Sequence, residues 1–173
     1  GPLLGVRRLK LDDEINALQL HDALKDLGAD LLANDYVDYL CGNLIPVPQN
    51  EEFVTIAPKI DKAEARIDWS KSAREIHNRV RGLAMGPFAF TTSNGQQLKL
   101  HKTVIASETG SNPQPGKILF SGLGEGNVWT LEVACGEGSL RLLEVQPESR
   151  ARMAIKDFIT GYSPSMGSVM GAT

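Results

Sequence analysis

From Phe88 onward the chain changes its hydrophobic rhythm to that of β-strands. Leu98 and Leu100 alternate with Lys99, His101 and Lys102, and short apolar runs recur at 88–92, 97–106, 117–120, 128–134 and 139–145. Alternation with period two places one set of side chains on each face of a strand. Asn94-Gly95 between the first two runs is a strong type I′ hairpin signal, because both central residues must adopt positive φ. Cys135-Gly136-Glu137-Gly138 marks another turn. Five short strands at close spacing with glycine turns predict a small closed barrel of the OB type.

Helices flank this region. Ser72 and Glu75 match a capping box, and Ile76, Val80 and Leu83 follow as an apolar stripe. Gly82 and Gly86-Pro87 should end that helix near Leu83. A last helix is expected over 149–160, and the small polar tail from Tyr162 is expected to fray.

The first fifty residues read differently. Residues 6–11 suggest a strand, and Asp12-Asp13-Glu14 suggest the start of a helix, where acids suit the exposed N–H groups. Leu18, His21, Leu24 and Leu27 form one apolar stripe, Gly28 is a weak point, and a second face runs from Leu31 to Gly42. One strand with its helices cannot bury such faces unaided. This segment is therefore read as the end of a larger α/β layer, and its exposed faces as a route to self-association. Residues 43–58 hold Pro46, Pro48 and Pro58 and read as an extended linker.

Charge is unevenly spread. Residues 1–50 carry four Lys/Arg against eight Asp/Glu, whereas 59–102 carry nine against four. A local basic patch can steer an anionic partner although the whole chain has a net charge of −3. Arg66, Lys71, Arg74, Arg79, Arg81, Lys99 and Lys102 lie on elements that could converge on one face, and OB-type barrels carry nucleic acid on such faces. Trp69 is either a base-stacking platform or, as its alternation with Ile67 favours, an anchor of the linker; Trp129 reads as core or barrel wall.

Other chemistries find little support. His21, His77 and His101 are scattered, and Cys41 and Cys135 are far apart, so no metal site or disulfide framework is expected. The thiols are read as reduced and cytoplasmic. His77 near Glu75 and Asp68 could form an acid–base pair, but it sits one residue past the stripe and reads as a surface or boundary histidine. Cys135 has no basic partner in sequence to activate it. No apolar run reaches the ~20 residues of a membrane span. The opening Gly1-Pro2-Leu3-Leu4 does not read as a signal peptide, and it lacks an initiator Met, as a processed protein, a tag scar or a fragment would.

Several motifs, taken in order, resemble the C-terminal portion of methionyl-tRNA formyltransferases. They are Pro46-Val47-Pro48-Gln49 with Val54-Thr55-x-Ala57-Pro58-Lys59-Ile60, then Ala65-Arg66-Ile67-Asp68-Trp69-Ser70. Pro115-Gly116-Lys117-Ile118-Leu119 and Val133-Ala134-Cys135-Gly136-Glu137-Gly138 follow. Leu140-Arg141-Leu142-Leu143-Glu144-Val145-Gln146-Pro147, Arg152-Met153 and Asp157-Phe158-Ile159-x-Gly161 complete the series. Residues 84–89 depart from the family's Asn-Pro-Trp-Pro-Gly-Ala and lose its tryptophan.

The resemblance implies an α+β chain with a small OB-like β-barrel and flanking helices. It assigns 1–43 to the end of a Rossmann-like formyltransferase domain, 44–71 to a linker and entry segment, and 72–173 to the OB-like domain. The seven basic residues would then contact initiator methionyl-tRNA. The family's catalytic Asn-x-His pair and Asp find no counterpart here, so the fragment is expected to be inactive and to carry no cofactor of its own. The parent enzyme would use 10-formyltetrahydrofolate as substrate in cytoplasmic translation initiation. A sugar-amine formyltransferase, the hydrolase domain of a formyltetrahydrofolate dehydrogenase and a stand-alone OB-type binding module are the alternatives.

Overall fold

The structure is a computed structural model that describes residues 1–172, and the chain divides into two compact units, Gly1–Lys59 and Ile60–Thr173. In the first unit, helix α1 (Ala17–Leu31) starts at Asn16, which forms a capping box with Gln19. The helix therefore begins later than the acidic run suggested. Asp12 instead turns the chain ahead of it, its carboxylate accepting from Glu14 N and Ile15 N. The helix passes through Gly28, widens to a π-type turn at Leu32–Tyr36 and ends as α2 (Val37–Leu40). Gly42, at φ +79°, closes it.

The strand expected over 6–11 does not form. A strand needs a neighbour for its N–H and C=O groups, and the unit offers only a single bridge, Leu3 with Val47. Arg7 instead binds Asp30 and Asp35. Among the described residues none before Ala65 is buried, so the first unit has no core of its own.

The second unit holds the core. Residues 60–71, read as part of the linker and entry segment, pack inward: Ala65, Ile67 and Trp69 are buried. Trp69 has the anchoring role its alternation favoured, and its indole N–H donates to Thr91 Oγ1 at 2.9 Å. Helix α3 (Ala73–Gly82) carries the predicted Ser72/Glu75 capping box and buries Ala73, Ile76, His77 and Val80. His77 is a core residue rather than a boundary one, 3.0 Å from Thr103 Oγ1.

All the expected strands are present: β1 (Phe90–Ser93), β2 (Gln96–Ser111), β3 (Ile118–Leu123), β4 (Trp129–Ala134) and β5 (Glu137–Pro147). They run antiparallel in the order β1-β2-β5-β4-β3, with a short β6 (Met153–Ala154) beside β5. Bulges near Leu100–Thr103 bend β2, which pairs with both β1 and β5. The mixed helix-and-sheet class is as expected, but the sheet is not closed: β1 and β3 are its two ends and no ladder joins them.

The C-terminal tail spans that gap, so it is bound rather than frayed. Ile118 N donates to Ser168 O and Gly167 N to Ile118 O at the β3 end, while Gly171 N donates to Thr92 O at the β1 end. Met170 between them is buried. The last helix is also shorter than predicted. Met153 and Ala154 stay extended because they pair with Val145 and Glu144, so α4 (Ile155–Tyr162) begins only after them. Its Ile155, Phe158 and Ile159 complete the core.

Candidate nucleic-acid interface

The basic residues take their positions from the periodicity of α3 and β2. On α3 the buried residues occupy one side, which leaves Arg79 on one flank and Arg74 and Arg81 on the other. The Arg79 flank lines an open groove of about 710 Å³, together with Arg66 and Lys71 from the preceding segment. Arg79 donates to the carbonyl of Glu64, and Arg66 to the carbonyl of Gly171 at 3.4 Å. A guanidinium bonded to a neutral carbonyl is positioned without losing its charge.

The groove also holds carboxylates, Glu64, Asp68 and Glu75. Ser70, through its hydroxyl first and then its N–H, holds the Asp68 carboxyl below its ordinary range. The Ser72 hydroxyl does the same for Glu75, followed by the Ser72 N–H. Both acids are thus engaged locally in shaping the turn and the helix start.

On the opposite flank Arg74 pairs with Glu108 of β2, and Arg81 Nε donates to Asn78 Oδ1 at 2.9 Å. Lys99 and Lys102 lie on β2. Leu98 and Leu100 point into the core, so Lys99 and His101 point outward, while Lys102 sits exposed at the bulge. The seven residues therefore do not converge on one face. Three share the groove, two lie across α3, and two lie on the strand.

Sequence reasoning missed what surrounds Lys99. The Phe88 ring packs on the His101 imidazole with centroids 4.7 Å apart and planes tilted by 56°, and Lys99 Nζ lies over the Phe88 ring at 5.8 Å. His101 Nε2 and Gln146 Oε1 are 3.0 Å apart, and the Gln146 amide donates to Arg150 O at 2.8 Å. Burial, reinforced by the nearby charges of Arg152 and Lys99, lowers the His101 pKa from its ordinary 6.5, against a smaller upward pull from Gln146. The alternation of Lys99 with His101 could have placed both on one face. Phe88 opens the apolar run 88–92, and the hairpin register set by Asn94-Gly95, with Phe90 opposite Lys99, continues to place Phe88 opposite His101, a signal the sequence already held.

Among the described residues no group of three or more His, Cys, Asp or Glu is arranged to hold a metal ion. Cys135 is buried, and burial pushes its thiol up to about 12, which removes it as a nucleophile at neutral pH. No helix among the described residues is long and apolar enough to cross a membrane.

Comparison with known proteins agrees with this fold. A "Methionyl-tRNA formyltransferase" of Bdellovibrio bacteriovorus is 46% identical over 173 residues, 99% of this chain and 53% of that protein. One from Myxococcus xanthus is 39% identical over 97% of this chain and 51% of the relative. The chain spans about half the length of the curated relatives it matches. Among solved structures, a variant of HypX from Aquifex aeolicus superposes with a TM-score of 0.68 at 12% identity, covering 96% of this chain and 29% of that one. HypX in complex with tetrahydrofolic acid gives 0.66 at 15% identity, over 93% of this chain and 28% of that one. At such identities these two attest to the fold. Residues 59–163 match the family described as "Formyl transferase, C-terminal domain", and they make up most of the chain, which therefore belongs to that family.

Proposed function

We propose that this chain is the tRNA-holding half of a methionyl-tRNA formyltransferase. In the whole protein, the formyl group of 10-formyltetrahydrofolate passes to the amino group of initiator methionyl-tRNA. The amino nitrogen gains the formyl carbon and releases a proton, and the folate N10 takes one up. That chemistry belongs to residues outside this chain, which binds no cofactor of its own and acts in the cytoplasm at translation initiation.

The reading is carried by the groove beside α3, where Arg66, Lys71 and Arg79 present three cations from a rigid helix and the segment anchored by Trp69. Cations bound to phosphates supply affinity without reading sequence, which suits a domain that holds RNA for chemistry performed elsewhere. The names of the relatives support the same substrate.

Binding of labelled initiator methionyl-tRNA, followed by fluorescence anisotropy across a salt series, tests it. Affinity is expected to fall steeply with salt. The charge reversal R66E/K71E/R79E should weaken binding and flatten the logarithmic salt slope by ~1 for each phosphate no longer neutralised. Binding that ignores salt, or that survives the triple reversal unchanged, overturns the reading.

A further inference from the structure

We propose that Phe88 and His101 form a stacking site for one unpaired base of a bound RNA, with Lys99 serving the adjoining phosphate. The proposal deepens the tRNA-holding reading and rests on it for the choice of RNA as ligand.

Phe88 is half-buried yet stands outside the apolar cluster that forms the core. Its neighbours are the His101 ring and the Lys99 ammonium, on the outward side of β2, where the opposite side carries Leu98 and Leu100. Phe88 is not among the side chains packed against the apolar core. It does give the outer sheet surface a π-face, which every nucleobase can stack on regardless of sequence.

The His101 ring, on which Phe88 packs, is held in advance of any ligand. Gln146 Oε1 faces His101 Nε2, and the Gln146 amide is itself fixed on the Arg150 carbonyl. Little freedom remains to be lost when a base lands on the pair, which is how preorganised sites gain affinity. Lys99 is the movable part. Its flexible stem lets the ammonium leave the Phe88 ring for a phosphate as the base takes the ring face.

Charge around the pair favours a polyanion. Lys99 lies on the same strand, Lys102 is exposed one residue beyond His101, and Arg152 stands near the imidazole, paired with Glu144. Lys99 and Arg152 thus act on the imidazole against one carboxylate, Glu144, with Lys102 exposed close by. A hydrophobic peptide would use the rings but leave these charges without a role, whereas a nucleotide uses both.

The test measures binding of this chain to a short labelled single-stranded oligoadenylate and to an RNA duplex of equal length. Phe88→Ala should weaken the single strand by about fivefold to a hundredfold, the range for losing one stacked base, and leave the duplex unchanged. Phe88→Leu, which keeps apolar bulk without the π-face, should lose as much, and Phe88→Trp should restore binding. Near-ultraviolet circular dichroism establishes that each variant is folded. If folded Phe88→Ala or Phe88→Leu binds oligoadenylate as well as the parent chain, or if the parent chain does not bind it, the stacking site is overturned. The tRNA reading is judged separately, by the salt series and by R66E/K71E/R79E. A groove that grips tRNA while Phe88 proves indifferent sinks the stacking site alone. Stacking on Phe88 without any tRNA affinity sinks the tRNA reading alone.

Discussion

The backbone of Met170 closes directly onto Gly116: Met170 N donates to Gly116 O at 2.8 Å, and the Met170 carbonyl oxygen lies less than 3.0 Å from where a Cβ on Gly116 would stand. Gly116 also sits at φ +86°, which side-chain-bearing residues rarely adopt. Here the C-terminal tail is fastened to the start of β3, and through Gly171 it is fastened to β1.

Gly116→Ala should therefore destabilise the domain by about 1–3 kcal/mol, from backbone strain together with the displaced tail. Met170→Ala removes a buried side chain and should cost about 2–5 kcal/mol. Because both act where the tail meets β3, the double variant should lose less than the sum. Urea denaturation followed by Trp fluorescence measures all three; a double variant that is fully additive would show that the tail and β3 are not coupled.

Trp69→Phe keeps an aromatic ring in the core, with some lost volume, and leaves Thr91 Oγ1 without its buried donor. A loss of about 1–3 kcal/mol is expected. The paired variant Trp69→Phe/Thr91→Val, in which both polar groups are gone, should recover part of it. Equal stability of Trp69→Phe and the parent chain would remove the anchoring role.

The helix start should be sensitive to acid. Asp68 and Glu75 have folded pKa values below their ordinary 3.8 and 4.5, because Ser70 and Ser72 hydrogen-bond their charged forms. A depressed carboxylate contributes its stability in full above the ordinary value and loses it as pH falls through the lower folded value. Urea midpoints should accordingly drop below about pH 4.5, and Ser72→Ala should both lower stability by about 1 kcal/mol and shrink the Glu75 part of that drop. An unchanged acid profile in Ser72→Ala would show that the capping box does not hold Glu75 ionised.

His101 gives a second pH signal with its own window. Its folded pKa lies below the ordinary 6.5, so the unfolded chain takes up the proton first as pH falls. Stability should decline from about pH 6.5 down to the folded value and then level off, and His101→Phe should abolish that component. Titration of the imidazole by NMR at or above 6.5 would contradict the burial that the structure gives it.

The two thiols should separate cleanly. Cys41 is exposed, whereas Cys135 is buried with its thiol pushed up to about 12. An aromatic disulfide reagent at about pH 8 should modify one cysteine in the native chain and both in denaturant. Native modification at Cys135 would mean that the turn between β4 and β5 opens readily.

How much of this was legible in the sequence follows from the range of the forces involved. Ser72 and Glu75 announced α3, and Asn94-Gly95 announced the β1–β2 hairpin, because capping and turn geometry depend on residues a few positions apart. Alternation about Leu98 and Leu100 set which way Lys99 and His101 face. The motif series also pointed to the family that residues 59–163 match. What depended on distant partners could not be read in this way. Residues 6–11 had strand-like composition but met no neighbouring strand, and Met153–Ala154 stayed extended because β5 was there to pair with them. The tail, small and polar, became ordered only because β3 and β1 left backbone groups for it to bind. The seven basic residues likewise were identifiable by charge, but their division into a groove, an opposite helix flank and a strand was decided by how α3 packs on β2. Phe88, by contrast, meets His101 because the β1–β2 hairpin register, with Phe90 opposite Lys99, runs on past the end of β1, so this meeting was set by the same local turn.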